Sequence, residues 1–214
     1  VTWILENLPL LGQRTLQHLA LTVPAILLTL IVSLPIGWVA RRYRASRWIL
    51  VTLTSLLYAI PSLPLFVMLP ALLGTGLRSG ANVIVALTLY GAALMVRSSS
   101  DAFGAVPTGV LDAAEAQGMG GWRRALGVQL PLAIPALAAG WRVVAVSTVS
   151  LVTVSGLLGL PSLGLLFVDG FQRDIPEEIL AGLVLTVLLA VVLDQVIAFT
   201  GRILTPWTRA GARS

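Results

Sequence analysis

Residues 19–40 and 48–73 contain no charged side chain. At 1.5 Å of rise per residue, each run is long enough as a helix to cross about 30 Å of hydrocarbon. Three more apolar stretches follow: residues 80–97, residues 132–160 with the single charge Arg142, and residues 179–201 with the single charge Asp194. Lipid offers no hydrogen bonds to a backbone, so segments of this kind span as helices. The expected fold is therefore all-α: a polytopic membrane protein with about five transmembrane helices within residues 19–201. Residues 1–18 are too polar to span and are expected to lie along the interface. Residues 98–131 form the longest loop and residues 202–214 a tail.

Composition removes other classes. The chain is 57% hydrophobic and 11% charged, whereas a soluble domain carries roughly 25% charged residues. All 14 basic residues are Arg, but they are scattered and not gathered on a polar domain, so the net charge of +5 does not mark a nucleic-acid binder. Cysteine is absent and His18 is the sole histidine. Thiol chemistry, disulfides and Cys/His zinc sites are excluded together, and no metal site is expected. His18, at the edge of the first run, reads as a polar interface anchor. The first residues lack the basic stretch, short apolar core and small-residue cleavage site of a secretory signal peptide.

Arginine placement sets the expected orientation. With the N-terminus outside, the inner segments hold Arg41, Arg42, Arg44, Arg47, Arg97, Arg123, Arg124, Arg202, Arg209 and Arg213, against Arg14, Arg78 and Arg173 outside. By the positive-inside rule the C-terminus is then inside. The last outer loop, residues 161–178, carries Asp169, Asp174, Glu177 and Glu178.

The spans carry features that plain lipid anchors lack. Prolines at 24, 35, 61, 64, 70 and 135 each remove a backbone donor and tend to kink a helix. Around Tyr58, Pro61, Ser62 and Pro64 the segment reads either as a kink settled by neighbouring helices or as a pathway-lining segment. Tyr58, Pro61, Ser62, Phe66 and Tyr90 are the candidates for a translocation path. Arg142 and Asp194 are expected at a similar inner depth, where they pair with each other or Arg142 snorkels to the inner interface, a role in binding substrate being the alternative.

The 98–131 loop is the most patterned part of the chain. After Pro107, Thr108 is placed to cap a short helix, and Gly118 is placed to end it with positive φ. Asp112 and Glu115, three apart, share a helix face among Ala113, Ala114 and Ala116. Small side chains and carboxylates suit either docking to a partner or a solvated loop helix.

Asp112-Ala113-Ala114, three residues, Gly118, nine residues, Val128, one residue, Leu130-Pro131 resembles the EAA signature of ABC-importer permeases, E-A-A-x3-G-x9-I-x-L-P. The spacing fits throughout, with Asp112 in place of Glu and Val128 in place of Ile. Thr15-Leu-Gln-His-Leu19, Leu34-Pro-Ile-Gly37, Ile60-Pro-Ser-Leu63, Leu87-Thr-Leu-Tyr90, Ala139-Gly-Trp-Arg142 and Ser162-Leu-Gly164 extend the resemblance to the osmoprotectant (glycine betaine, carnitine, choline) permeases, over roughly residues 15–207.

The resemblance implies a MetI-like fold and a transport subunit that carries a small osmoprotectant and has no ATPase site of its own. It implies a second permease copy or paralogue, a dimer of cytoplasmic ATPase subunits that holds ATP and Mg, and an extracytoplasmic solute-binding protein. The coupling residues would be Asp112, Ala113, Ala114, Glu115, Gly118, Leu130 and Pro131, on a lever joined to the third span through Arg97 and to the fourth through Leu130-Pro131. The chain has no phosphate-binding G-x-x-x-x-G-K-[ST] loop. Another small solute, such as an amino acid or methionine-like compound, is the alternative cargo. A stand-alone channel or secondary carrier would call for repeated halves or several mid-span acids, and only Asp194 qualifies. An intramembrane enzyme lacks a dyad, because His18 and Asp194 fall near opposite faces.

Overall fold

The computed structural model describes residues 2–207, the side chains of 44–46 excepted. Val1 and the tail beyond residue 207, with Arg209 and Arg213, lie outside the described residues. The chain forms ten α-helices there: α1 (Thr2–Glu6), α2 (Leu8–Arg42), α3 (Arg44–Ala59), α4 (Ser62–Leu73), α5 (Gly80–Gly104), α6 (Thr108–Ala116), α7 (Gly121–Arg124), α8 (Leu130–Val154), α9 (Gly164–Gln172) and α10 (Pro176–Leu204). A π-helical turn, Ala125–Gln129, joins α7 to α8, and a 3-10 turn, Ser155–Leu158, ends α8.

Four helical stretches are long and apolar enough to cross a membrane singly: α2, α5, Gly121–Leu158 and α10. The second apolar run, residues 48–73, is not one straight span. Arg47–Ala59 and Ser62–Leu73 meet at a 105° bend, and α3 and α4 reach only about 24 and 18 Å at 1.5 Å per residue. Ile60 and Pro61 are both extended, with ψ of 128° and 138°. Pro61 brings no amide to carry the helix on, and a residue before proline avoids the α region.

Helix boundaries also depart from the sequence reading at other points. No break separates residues 8–18 from the first span: α2 starts at Leu8 and runs unbroken through Pro24 and Pro35. Only α1 stands apart, and it packs on α10. The third span continues past Arg97 to Gly104, so the loop proper begins at Ala105. The segment 161–178 is not an open loop either. It holds α9, whose Leu166 lies with Leu163 in a core cluster with Leu11, Val149 and Ala181. Gly164 allows this turn: a Cβ there would overlap the Thr153 carbonyl oxygen.

α5 is the most enclosed span, and α2 packs along it. Small residues set that approach. A Cβ on Gly37 would overlap Ser99, and one on Gly91 would overlap Thr29. In lipid, where apolar burial does not favour helix association, such close contact supplies it. The bundle has two chemically distinct ends. One carries Arg41, Arg42, Arg47, α6, α7 and Arg202; the other carries Arg14, Arg78, Asp169, Arg173, Asp174, Glu177 and Glu178.

Candidate functional site

At the arginine-rich end, α6 is a nine-residue helix whose N-terminal flank is Pro107. Thr108 is its first helical residue and makes no capping bond, so the expected threonine cap is replaced by the fixed backbone of the proline. Gly118, at φ +80°, closes the other end: its amide donates to Glu115 O at 2.9 Å, and the Met119 amide donates to Ala114 O at 3.1 Å. A Cβ on Gly118 would meet nothing within 4 Å, so glycine serves the dihedral and not the space.

The two carboxylates of α6 differ in their commitments. Glu115 pairs with Arg124 of α7, whereas Asp112 is exposed and has no side-chain partner among the described residues. Ala114 is buried, while Ala113 and Ala116 are exposed beside Asp112. The outward surface is thus a low ridge of small residues with one free carboxylate, next to Trp122, 67% exposed.

Leu130 and Pro131 open α8 directly after the π-turn. Within that turn lies Gln129, a residue the motif leaves unspecified. Its Oε1 accepts from the Trp38 indole N–H at 3.2 Å, and its Nε2 donates to Phe103 O at 3.2 Å. Trp38 also meets Trp122 edge-on, with centroids 6.1 Å apart. The loop is therefore fastened laterally to α2 and α5 as well as covalently to α5 and α8. A lone amide beside an apolar run, which needs partners for both of its polar atoms, was the available sequence signal. A cavity of about 540 Å3 rimmed by Arg41, Arg42, Arg47 and Arg124 lies alongside, and Arg47 bonds Asp101 at 3.0 Å.

At the bend, Tyr90 donates its hydroxyl to the Ile60 carbonyl, and its ring meets Tyr58 edge-on at 5.9 Å. A proline break frees carbonyls at depth, and this phenol satisfies one of them. Phe66 is 1% exposed and packs with Leu21, Ala25, Val83 and Leu87. Tyr90 is also buried, while Tyr58 and Pro61 are exposed and Ser62 is half-buried. The five residues are neighbours in this region, yet Phe66 and Tyr90 face helices and not an open surface.

Arg142 of α8 and Asp194 of α10 form a two-point contact, Nε to Oδ1 and Nη2 to Oδ2, both at 2.7 Å. Asp194 Oδ2 also accepts from Gln195 Nε2 at 3.2 Å. His18 is fully buried, with Nε2 3.1 Å from the Val149 carbonyl. Its expected place at the interface gives way to a bond between α2 and α8, in which Nε2–H is the donor. Among the described residues no group of three or more His, Asp or Glu gathers to hold a metal.

Comparison with known proteins places this geometry. The sequence profile of the binding-protein-dependent transport system inner membrane component family matches residues 33–210. The osmoprotectant import permease protein OsmW of Salmonella typhimurium is 30% identical over 209 residues, covering 96% of this chain and 97% of that one. The glycine betaine/carnitine/choline transport system permease protein OpuCB of Bacillus subtilis is 29% identical over 206 residues, covering 96% and 94%. A chain from the inward-facing MetNI methionine ABC transporter superposes with a TM-score of 0.77 at 24% identity, over 92% of this chain and 95% of that one. At that identity the likeness speaks for the fold alone.

Proposed function

The chain belongs to the family of binding-protein-dependent transport system inner membrane components, and from that premise we propose that it forms the path of an ABC importer for a small osmoprotectant such as glycine betaine, choline or carnitine. It is the permease component and not the ATPase. The arginine-rich end faces the cytoplasm, which puts the N-terminus outside and the C-terminus inside. There α6 docks on a separate ATPase subunit through Asp112, Ala113, Glu115 and Ala116, with Ala114 and Gly118 holding the helix in shape. ATP and Mg belong to that partner. Two permease subunits, alike or related, enclose the path, and an external binding protein delivers the solute.

The observation that carries this reading is the α6 ridge. It is a short helix closed at Gly118, presenting small side chains and an uncommitted carboxylate. The Gln129 bridge and the continuous helix from Gly121 to Leu158 supply the stiffness a lever needs, so that movement of α6 reaches α2, α5 and α8 together. Tyr58, Pro61 and Ser62 belong to the path side of the bend, with Phe66 and Tyr90 holding it from behind. The choice of cargo draws support from the two relatives named above. Methionine or another amino acid is the competing cargo, in line with the shared fold.

The test is reconstitution of the chain in proteoliposomes with its ATPase and binding protein. ATP-dependent uptake of labelled glycine betaine, choline or carnitine is expected. Uptake of an amino acid in place of all three would overturn the cargo, and unaltered uptake with no ATPase present would overturn the coupling.

A further inference from the structure

Arg142 stands at the midpoint of Leu130–Val154, about 18 Å from either end at 1.5 Å per residue. That exceeds the reach of an arginine side chain to either end of the helix. Its charge is met by Asp194, yet its side chain remains 43% exposed and that of Asp194 19%. Together with Ala139, Val143, Val146 and Ser147, the pair lines a lateral cavity of about 380 Å3. Ionised groups exposed at this depth are not tolerated against acyl chains and face a protein interior or water.

The hydroxyls of α8 point the same way. Thr148, Ser150 and Thr153 each donate to a carbonyl of their own helix. Ser147 is half-buried beside the charge pair and has no partner among the described residues. A hydroxyl without a partner in hydrocarbon is costly, whereas one in contact with water is not. The side of α10 turned away from Asp194 differs in kind: Leu188, Val192, Val196, Phe199 and Ile203 are exposed there without a polar group among them. That is a surface suited to lipid.

We infer that the α8 face bearing Ala139, Arg142, Val143, Val146 and Ser147, with Asp194 across from it, is the wall this protomer turns toward the water-filled solute path. The inference deepens the permease reading and rests on it. Because the carboxylate cancels the guanidinium, the wall presents a strong local dipole with no net charge, which suits a small zwitterion or neutral polar solute over an inorganic ion.

The sequence contains no cysteine, so single cysteines report directly. Ser147→Cys and Val143→Cys serve as wall probes, with Ala139→Cys in reserve should either fail to assemble, and Val192→Cys and Val196→Cys serve as lipid-face controls. In proteoliposomes holding the complete transporter, a charged, membrane-impermeant methanethiosulfonate should modify the wall probes at least about tenfold faster than the controls, since thiol reactivity follows aqueous exposure. Modification should also abolish uptake. Labelling of the wall probes only by a lipid-soluble maleimide would overturn the inference in favour of lipid. Labelling by neither reagent would overturn it in favour of a dry subunit contact. Uptake by the unsubstituted protein in the same vesicles tests the permease reading separately.

Discussion

The Trp38 indole donates to the Gln129 carboxamide at 3.2 Å across ninety-one positions of sequence, and the same amide donates onward to Phe103 O. One side chain in the π-turn thereby ties α2 and α5 to the start of α8. Replacing it with an apolar residue leaves two partners unpaired, each costing roughly 1–3 kcal/mol where it is shut from water. Gln129→Leu is expected to lower thermal stability and to uncouple the transporter, with ATP hydrolysis kept and solute moved per ATP reduced. An unchanged ratio of solute to ATP would show that the bridge does not transmit force.

Gly118 is required for its dihedral. Gly118→Ala at φ +80° should cost about 1–2 kcal/mol, the penalty an L-residue meets in the left-handed region. Gly118→Asn should recover part of that cost, because Asn tolerates this conformation better. Co-purification with the ATPase is the measurement. Equal defects in the two variants would point to lost space in place of lost conformation.

Asp112 and Glu115 should separate stability from docking. Asp112→Ala removes no side-chain interaction among the described residues, so its melting temperature should stay the same while ATPase retention falls. Glu115→Ala breaks the pair with Arg124. As the glutamate is 67% exposed, the loss should be under about 1 kcal/mol. A melting temperature lowered by Asp112→Ala would count against an uncommitted carboxylate.

Tyr90→Phe keeps the ring against Tyr58 but removes the donor to Ile60 O. The net loss should be about 1 kcal/mol, read from thermal unfolding in detergent. Protease sensitivity should rise at the α3–α4 break if the phenol stabilises it. A melting temperature and a digestion pattern both unchanged would mean the bend holds without it.

Arg142→Gln alone and Asp194→Asn alone should each impair folding and transport, because each leaves one charge exposed at depth. Arg142→Asp with Asp194→Arg should restore folding in part, measured as the yield of monodisperse protein. Arg142→Lys should behave as a loss, since an ammonium does not reproduce the two-point contact. Failure of the reversed pair to improve on Arg142→Asp would argue against mutual compensation.

Much of the architecture is legible along the chain because lipid imposes a one-dimensional rule. A segment either carries enough consecutive apolar residues to cross or it does not, and this yields an all-helical membrane protein, its apolar runs and the arginine bias between its ends. Local chemistry reads equally well where a single backbone angle decides the outcome, as at Gly118. Proline placement marks the break near Pro61, yet its 105° angle follows from how α4 packs on Leu21, Val83 and Leu87 and from the Tyr90 hydroxyl that meets the freed carbonyl.

Only tertiary contact decides the remaining features. Residues 8–17 look too polar to extend a span, but they do so as part of α2, and Leu11 and Leu19 of that helix pack with α9 and α10. His18 looks like a border residue and is buried, because its partner, the Val149 carbonyl, lies 131 positions away. α9 reads as a loop, being short and flanked by Gly, Pro and acids, until Gly156 and Gly164 let its backbone close against α8. Hydropathy along a sequence reports what a segment can dissolve in. It carries no record of which distant carbonyl, amide or charge awaits a polar side chain, and that pairing sets the bend, the Gln129 bridge and the outward face of Arg142 and Asp194.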